Sequence, residues 1–375
     1  MGFHDQPSDS GLKKIEPVIL FTELSPNGNI EAVVEQDDRV AYFYLNGSSE
    51  SDFRVRSCWI RNLRPAPEEF DQKTMQEGIA PLLPRKFCKH PTGARPLDGK
   101  NLNVVWFEEG DAAALFLSNT ILAVIPPWSG IGGFHGYAAE CVGESLVCWG
   151  LGTPETNEIF RRISRAQEYW ISWSHEKTWL SLQKSFMDAY KTQLGSHSKY
   201  YAIDNNQWPP KAILEIPTSQ GVYLVTLGIS IRPQPKIEMY LDEPEKYRRV
   251  EIGFYLGKNF SEKTVHLAAN YLSALAAYPW KKYAWISEFH TIDCGVIPPN
   301  SQGIKFSYII LSREQDLGIT LPEYRDDPVN LYWAIPITET ERQFAEKCGI
   351  NELVLRLRQQ NDYWPHNDRS EIVFD

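Results

Sequence analysis

The 375-residue sequence has no Cys-x-x-Cys pair, no Gly-Lys-Ser/Thr phosphate loop and no unbroken apolar span of membrane length. The first absence excludes the common zinc ribbons and the thioredoxin-type redox motif. Six scattered cysteines, Cys58, Cys88, Cys141, Cys148, Cys294 and Cys348, then read as thiols kept reduced inside a core, and Cys88 with His90 and Cys58 lacks the ligand pairing of a metal site. The second excludes P-loop nucleotide binding. The third concerns 112–139, which has no charged residue but is cut by Pro126, Pro127 and several glycines. Positive charge is also in deficit: the formal net charge of -10 opposes nucleic-acid binding and suits a basic protein partner. Residues 1–14 are polar and predict a mobile tail without a signal-peptide core, and Phe3, His4, Asp5 and Gln6 after Gly2 do not make a myristoylation site. No cofactor, metal, nucleic acid or membrane is implied, and a soluble cytoplasmic protein is expected.

What is present is a length that favours two domains and a large aromatic content that favours packed cores. Strand-like runs at 15–24, 30–35, 40–45 and 53–62 are separated by turn residues, with Asn27-Gly28 and Asn46-Gly47 as hairpin signals. Residues 65–101 are rich in Pro, Gly, Lys and Arg and read as irregular. Strands return at 102–107, 113–117 and 120–125, so 15–153 is expected to be a mainly antiparallel β domain. Residues 154–195 form a helical connector. Ile159, Ile163, Ala166, Trp170 and Trp173 make one stripe, while Trp179, Leu182, Phe186 and Tyr190 make a second, out of phase, which predicts a break at Ser174-His175. Gly195 is a natural stop.

Residues 196–375 read as α+β, entered through a junction at 196–210. Strands are expected at 221–231, 250–256, 305–311 and 329–337, and the loop carrying Glu238, Asp242, Glu243 and Glu245 as a solvated connection. Ser261 can cap a helix whose inner face is Val265, Ala268, Leu272 and Leu275, with Pro279 as its end. Thr338 and Glu341 have capping-box spacing, Gly349 suits a left-handed stop, and Asn351 can cap a last helix with Leu353 and Leu357 facing inward.

Two stretches of the first half carry residues with chemistry. The loop PPWSGIGGFHGY (126–137) offers His135, a base near neutral pH, in a glycine-rich setting whose plainer reading is a tight packed turn. The WFEEGD stretch offers Glu108, Glu109 and Asp111, whose plainer reading is a solvated turn. If these groups met, they would form an acid/base site, and the chain would be an enzyme.

The ordered elements of the second half resemble the suppressor-of-fused (SUFU) domain family. The likeness runs through the strand Tyr223–Ser230, the strand Val250–Leu256, the helix ending LSALAAYP, 304–311, 329–337, the helix opening at Pro336–Glu341, Gly349–Leu357 and the segment 364–371 with Asp368 and Arg369. It covers Tyr200 onward, and the first half is similar to the extra N-terminal region of longer bacterial members. The resemblance implies a non-enzymatic protein-binding module, with no catalytic residue to carry over. In animal members the domain comes first and sequesters a transcription factor. Here it comes last, a departure from that order, and the similarity to bacterial members implies instead an immunity-type protein that neutralises the toxin of a polymorphic toxin system, such as a basic toxin domain. The expected partner contacts are exposed acidic and aromatic residues: Glu288, Asp293, Glu323, Tyr324, Asp326 and Asp327. A third reading gives partner choice to the N-terminal β domain and leaves the C-terminal domain as scaffold.

Overall fold

The computed structural model describes residues 16–49, 51–258, 260–293, 304–313, 319–360 and 369–372. The expected tail, Cys294, Asp368 and most of 364–371 lie outside these residues. The first half opens with a four-stranded antiparallel meander, β1 (Val18–Leu24), β2 (Ile30–Gln36), β3 (Val40–Gly47) and β4 (Arg56–Asn62). Asn27-Gly28 makes the expected first turn, with Gly28 at φ 71°. Asn46-Gly47 does not make a hairpin turn but ends β3. A Cβ on Gly47 would lie 2.0 Å from the Phe53 carbonyl oxygen, so this glycine permits close backbone approach instead.

The 65–101 stretch is irregular as expected, with one short helix, α1 (Gln72–Gln76), capped by Asp71. A second sheet follows, β5 (Leu102–Trp106), β6 (Ala113–Leu117), β7 (Thr120–Ile125), β8 (Tyr137–Ala138) and β9 (Trp149–Gly150). The two sheets share a core around Phe43, Trp59, Leu115 and Ala123, into which Cys58, Cys88, Cys141 and Cys148 are buried. Cys348 is exposed.

The predicted break divides the connector into α2 (Ile159–Trp173) and α3 (Glu176–Gln193). Ile159, Ile163 and Ala166 of α2 pack on the second sheet with Phe107, Ala114 and Val124, whereas Tyr169, one turn on, enters a core with Leu182, Phe186 and Tyr190 of α3. One helix therefore belongs to two cores.

The second half is built on a seven-stranded sheet. Its strands are β10 (Lys199–Ala202), β11 (Ala212–Pro217), β12 (Gly221–Leu227), β13 (Arg249–Gly257), β14 (Thr291–Asp293), β15 (Tyr308–Ser312) and β16 (Val329–Ile337), in the spatial order β10-β11-β12-β13-β16-β15-β14. Among the described residues only the β13–β16 pairing within it is parallel. Side chains alternate between faces. Leu214, Val225 and Ile335 face α3 and the last helix, and Ile213, Leu224, Ile252 and Ala334 face α4 (Glu262–Lys282). β10 occupies ground read as a junction, β11 lies just beyond it where no strand was expected, and β12 stops at Leu227 where a 3-10 turn takes over.

Ser261 caps α4 through a bond from the Thr264 N–H, and Ala268, Leu272 and Leu275 are buried as predicted. Pro279 does not end α4, which runs a further turn to Lys282. A proline this late forfeits one hydrogen bond, and the last turn is held by buried Trp280, whose Nε1–H donates to the Pro233 carbonyl at 3.0 Å. Thr338 and Glu341 form the predicted capping box at the start of α5 (Glu339–Cys348). Gly349 has φ 96° and separates it from α6 (Ile350–Gln360). Asn351 lies inside α6 rather than capping it, while Leu353 and Leu357 are buried. Among the described residues no helix is long and apolar enough to cross a membrane.

Candidate functional site

The bend before β16 carries four of the six predicted contact residues. Tyr324 and Asp327 exchange backbone hydrogen bonds at 2.9 and 3.2 Å, and Arg325 and Asp326 between them take φ values of 55° and 67°. The bend leaves Glu323 and Asp326 exposed and half-buries Tyr324. Asp327 is turned inward and is 2% exposed, so its expected place on the surface is corrected. Its carboxylate takes a forked pair from Arg248, both bonds 2.8 Å, and a 2.7 Å bond from Arg249 Nε. Burial opposes ionisation of Asp327. The Arg248 hydrogen bond and the Arg249 charge together outweigh it and hold the pKa below the usual value. Glu288, half-buried, accepts from the Arg313 N–H at 3.2 Å, and Asp293 is exposed at the end of β14.

Below the bend lies a charged layer that joins the two halves. Arg249, fully buried, also donates to the Ser230 and Ile231 carbonyls and reaches Glu108 Oε2 at 2.7 Å. Its guanidinium lies 4.8 Å from the Tyr324 ring. Glu109 meets Arg162 of α2 at 3.1 Å, and Arg162 meets Glu238 at 2.7 Å. Arg325 Nε lies 3.5 Å from Glu108. Asp111 accepts from the Lys236 N–H at 3.1 Å, and burial pushes its pKa up to about 7 against the pull of Arg56. Two plain readings fail here. Glu108, Glu109 and Glu238 are not solvated, because arginines distant in sequence cover them, and Asp111 is buried against the Lys236 backbone N–H.

His135 does not join this layer. Its Nδ1 lies 3.1 Å from the Ser57 carbonyl, and no hydrogen bond or ion pair connects it to Glu108, Glu109 or Asp111 among the described residues. The acid/base site weighed from the sequence therefore does not assemble. Nor does any group of three or more His, Cys, Asp or Glu side chains among the described residues sit where it could hold a metal.

Sequence reasoning missed Arg248, Arg249, Arg162 and Arg325, since nothing local marks an arginine for burial. It also missed the Arg369–Glu341 pair, in which both side chains are fully buried and both bonds are 2.6 to 2.7 Å. That pair ties residues 369–372 to the capping box of α5, because the Ile372 N–H also donates to Glu341 at 3.1 Å.

A layered α+β unit, with a mixed sheet between helices and an acidic bend on its rim, is the class these elements define. Residues 207–368 match the family described as Suppressor of fused protein (SUFU). Among solved structures, the chain is similar to a SUFU homologue from Neisseria gonorrhoeae at 17% identity, covering 52% of this chain and 99% of that one with a TM-score of 0.37. It is also similar to a chain of a Sufu–Fu complex, at 14% identity over 51% and 90% with a TM-score of 0.36. A third is Drosophila Suppressor of Fused, at 13% identity over half of each chain with a TM-score of 0.35. No curated protein matches the chain.

Proposed function

We propose that this chain is a non-enzymatic protein-binding module, and that it neutralises or sequesters a basic protein partner, as a cytoplasmic immunity protein does with a toxin domain in bacteria. The observation that carries the reading is the family match over residues 207–368. The acidic bend supports it. Asp327, Arg248 and Arg249 anchor the bend from below, so Glu323 and Asp326 are presented on a fixed frame, as a binding surface requires. The net charge of -10 would steer a basic partner toward it. In this reading Glu323, Tyr324 and Asp326 make the contact, Glu288 and Asp293 flank it, and Asp327 supports it from beneath. The division into 15–153, 154–195 and 196–375 belongs to the proposal, with the first part lending the charged layer Glu108, Glu109 and Asp111.

The test is co-expression of the full chain with a toxin-bearing protein encoded beside it. The expected result is relief of growth arrest and a complex that survives gel filtration. Arrest that persists with both proteins soluble and unassociated would overturn the immunity reading.

A further inference from the structure

A second feature lies away from the acidic bend and has the opposite sign. Between the β1–β2 turn, the start of β11 and the end of α4 is a cleft of about 740 Å³. No acidic residue lines it. Its cations are Lys211, Arg232 and Lys281, and its walls are Trp170, Trp208 and Trp280. In a chain of net charge -10, this is a local reversal.

Arg232 is the informative residue. It is 5% exposed, yet no carboxylate pairs with it among the described residues, and its Nε is buried without a hydrogen-bond partner there. Its guanidinium lies 4.5 Å from the Trp280 ring and 5.6 Å from the Trp208 ring. Aromatic faces offset part of the cost of a buried cation but do not replace an anion. Every other buried arginine among the described residues has an acidic partner: Arg248 and Arg249 hold Asp327, and Arg369 holds Glu341. Arg232 is also rigidly placed. It follows the 3-10 turn Ile229–Ile231, and that turn is pinned by Glu251, which accepts from the Gly228 N–H, the Ser230 N–H and the Ser230 hydroxyl at 2.6 to 3.1 Å.

Two of the tryptophans pack on each other, with their ring planes tilted by 53°. Trp170 and Trp208 lie with ring centroids 4.7 Å apart. The Trp170 and Trp280 N–H groups are used on backbone carbonyls, whereas the buried Trp208 Nε1 has no partner among the described residues. Lys211 feels the same shortage of negative charge. Burial and the positive charge of Arg232 push its pKa down to about 8, and Asp204, whose Oδ2 accepts the Lys211 backbone N–H at 3.1 Å, offsets this only in part.

We infer that this cleft is a binding site for an organic oxyanion, a carboxylate or phosphate carried on a flat apolar body, with the head group on Arg232 and Lys211 and the body against the tryptophans. Its volume falls in the range of small-molecule sites. The inference is independent of the acidic bend and of any partner there.

The test is calorimetric titration of the full chain with 1-naphthoate and 1-naphthyl phosphate, beside inorganic phosphate and the uncharged 1-naphthylmethanol. Saturable one-to-one binding of at least one naphthyl anion is expected, at least tenfold tighter than either inorganic phosphate or the alcohol. Arg232→Met, which keeps the apolar stem, should weaken it at least tenfold, and Lys211→Met several-fold. Should Arg232→Met fail to fold by circular dichroism, Lys211→Met and the uncharged ligand carry the comparison. The inference is overturned if neither anion binds, if the alcohol binds as tightly as the anions, or if folded Arg232→Met or Lys211→Met binds like the parent chain.

Discussion

Asp111 and Asp327 are two carboxyls of one charged layer with opposite titration behaviour. Asp327 is held ionised by two arginines, whereas Asp111 is wholly buried with a backbone N–H as its only hydrogen-bond donor among the described residues. Its folded-state pKa of about 7 exceeds the ordinary aspartate value of 3.8, so between these values the folded chain holds a proton that the unfolded chain has released. Stability from this group therefore falls as pH rises from about 4 to about 7, and the loss persists above. Asp111→Asn removes the titration. Urea denaturation should show the variant gaining on the parent by about 2–4 kcal/mol between pH 4 and pH 8, and a difference independent of pH would contradict the assignment. Asp327→Asn has the opposite sign. It leaves Arg248 and Arg249 undercompensated inside the protein and should cost about 3–5 kcal/mol at pH 7 in the same assay. A loss under about 1 kcal/mol would mean the bend is not anchored through this residue.

Elements differ in how far local sequence announces them. β16, the capping box of α5 and the break between α2 and α3 were legible, because each depends on neighbours within a few residues: β-branched and aromatic runs, a Thr-x-x-Glu spacing, a slip of phase. β10 and β11 were not, because Lys199-Tyr200-Tyr201 and the Pro-rich stretch after Trp208 look like a linker until β12 supplies a partner for β11. Pro279 misled for a related reason, since Trp280 packing outweighs one lost backbone bond. The charged layer was the least legible part. Glu108 and Arg249 are 141 residues apart, and their pairing follows from the way α2 and the sheets come together. The central β13–β16 contact also yields an element-scale prediction. A Cβ on Gly253 would lie 2.5 Å from the ring of Trp333, which is 2% exposed and hemmed in. Gly253→Ala should lower stability by about 1–3 kcal/mol by overpacking, measured by urea denaturation. An unchanged midpoint would show that the Trp333 ring can shift.

At the scale of the whole molecule, α2 shares its residues between two cores, the Glu108–Arg249 pair crosses between the halves, and Arg162 of α2 bridges Glu109 of the first to Glu238 of the second. The halves should therefore unfold together, with near- and far-ultraviolet circular dichroism giving coincident urea transitions. Two separated transitions would mean the charged layer adds little coupling. The same layer links fold to function, since it holds from beneath the acidic bend proposed to meet a partner. The most direct measurement is the affinity of the full chain for the partner proposed above, a toxin-bearing protein encoded beside it, compared with that of the Glu323→Lys/Asp326→Lys double variant. The account predicts a saturable complex that weakens at least tenfold on charge reversal, with the fold unchanged by circular dichroism. Equal affinity for both forms would contradict it.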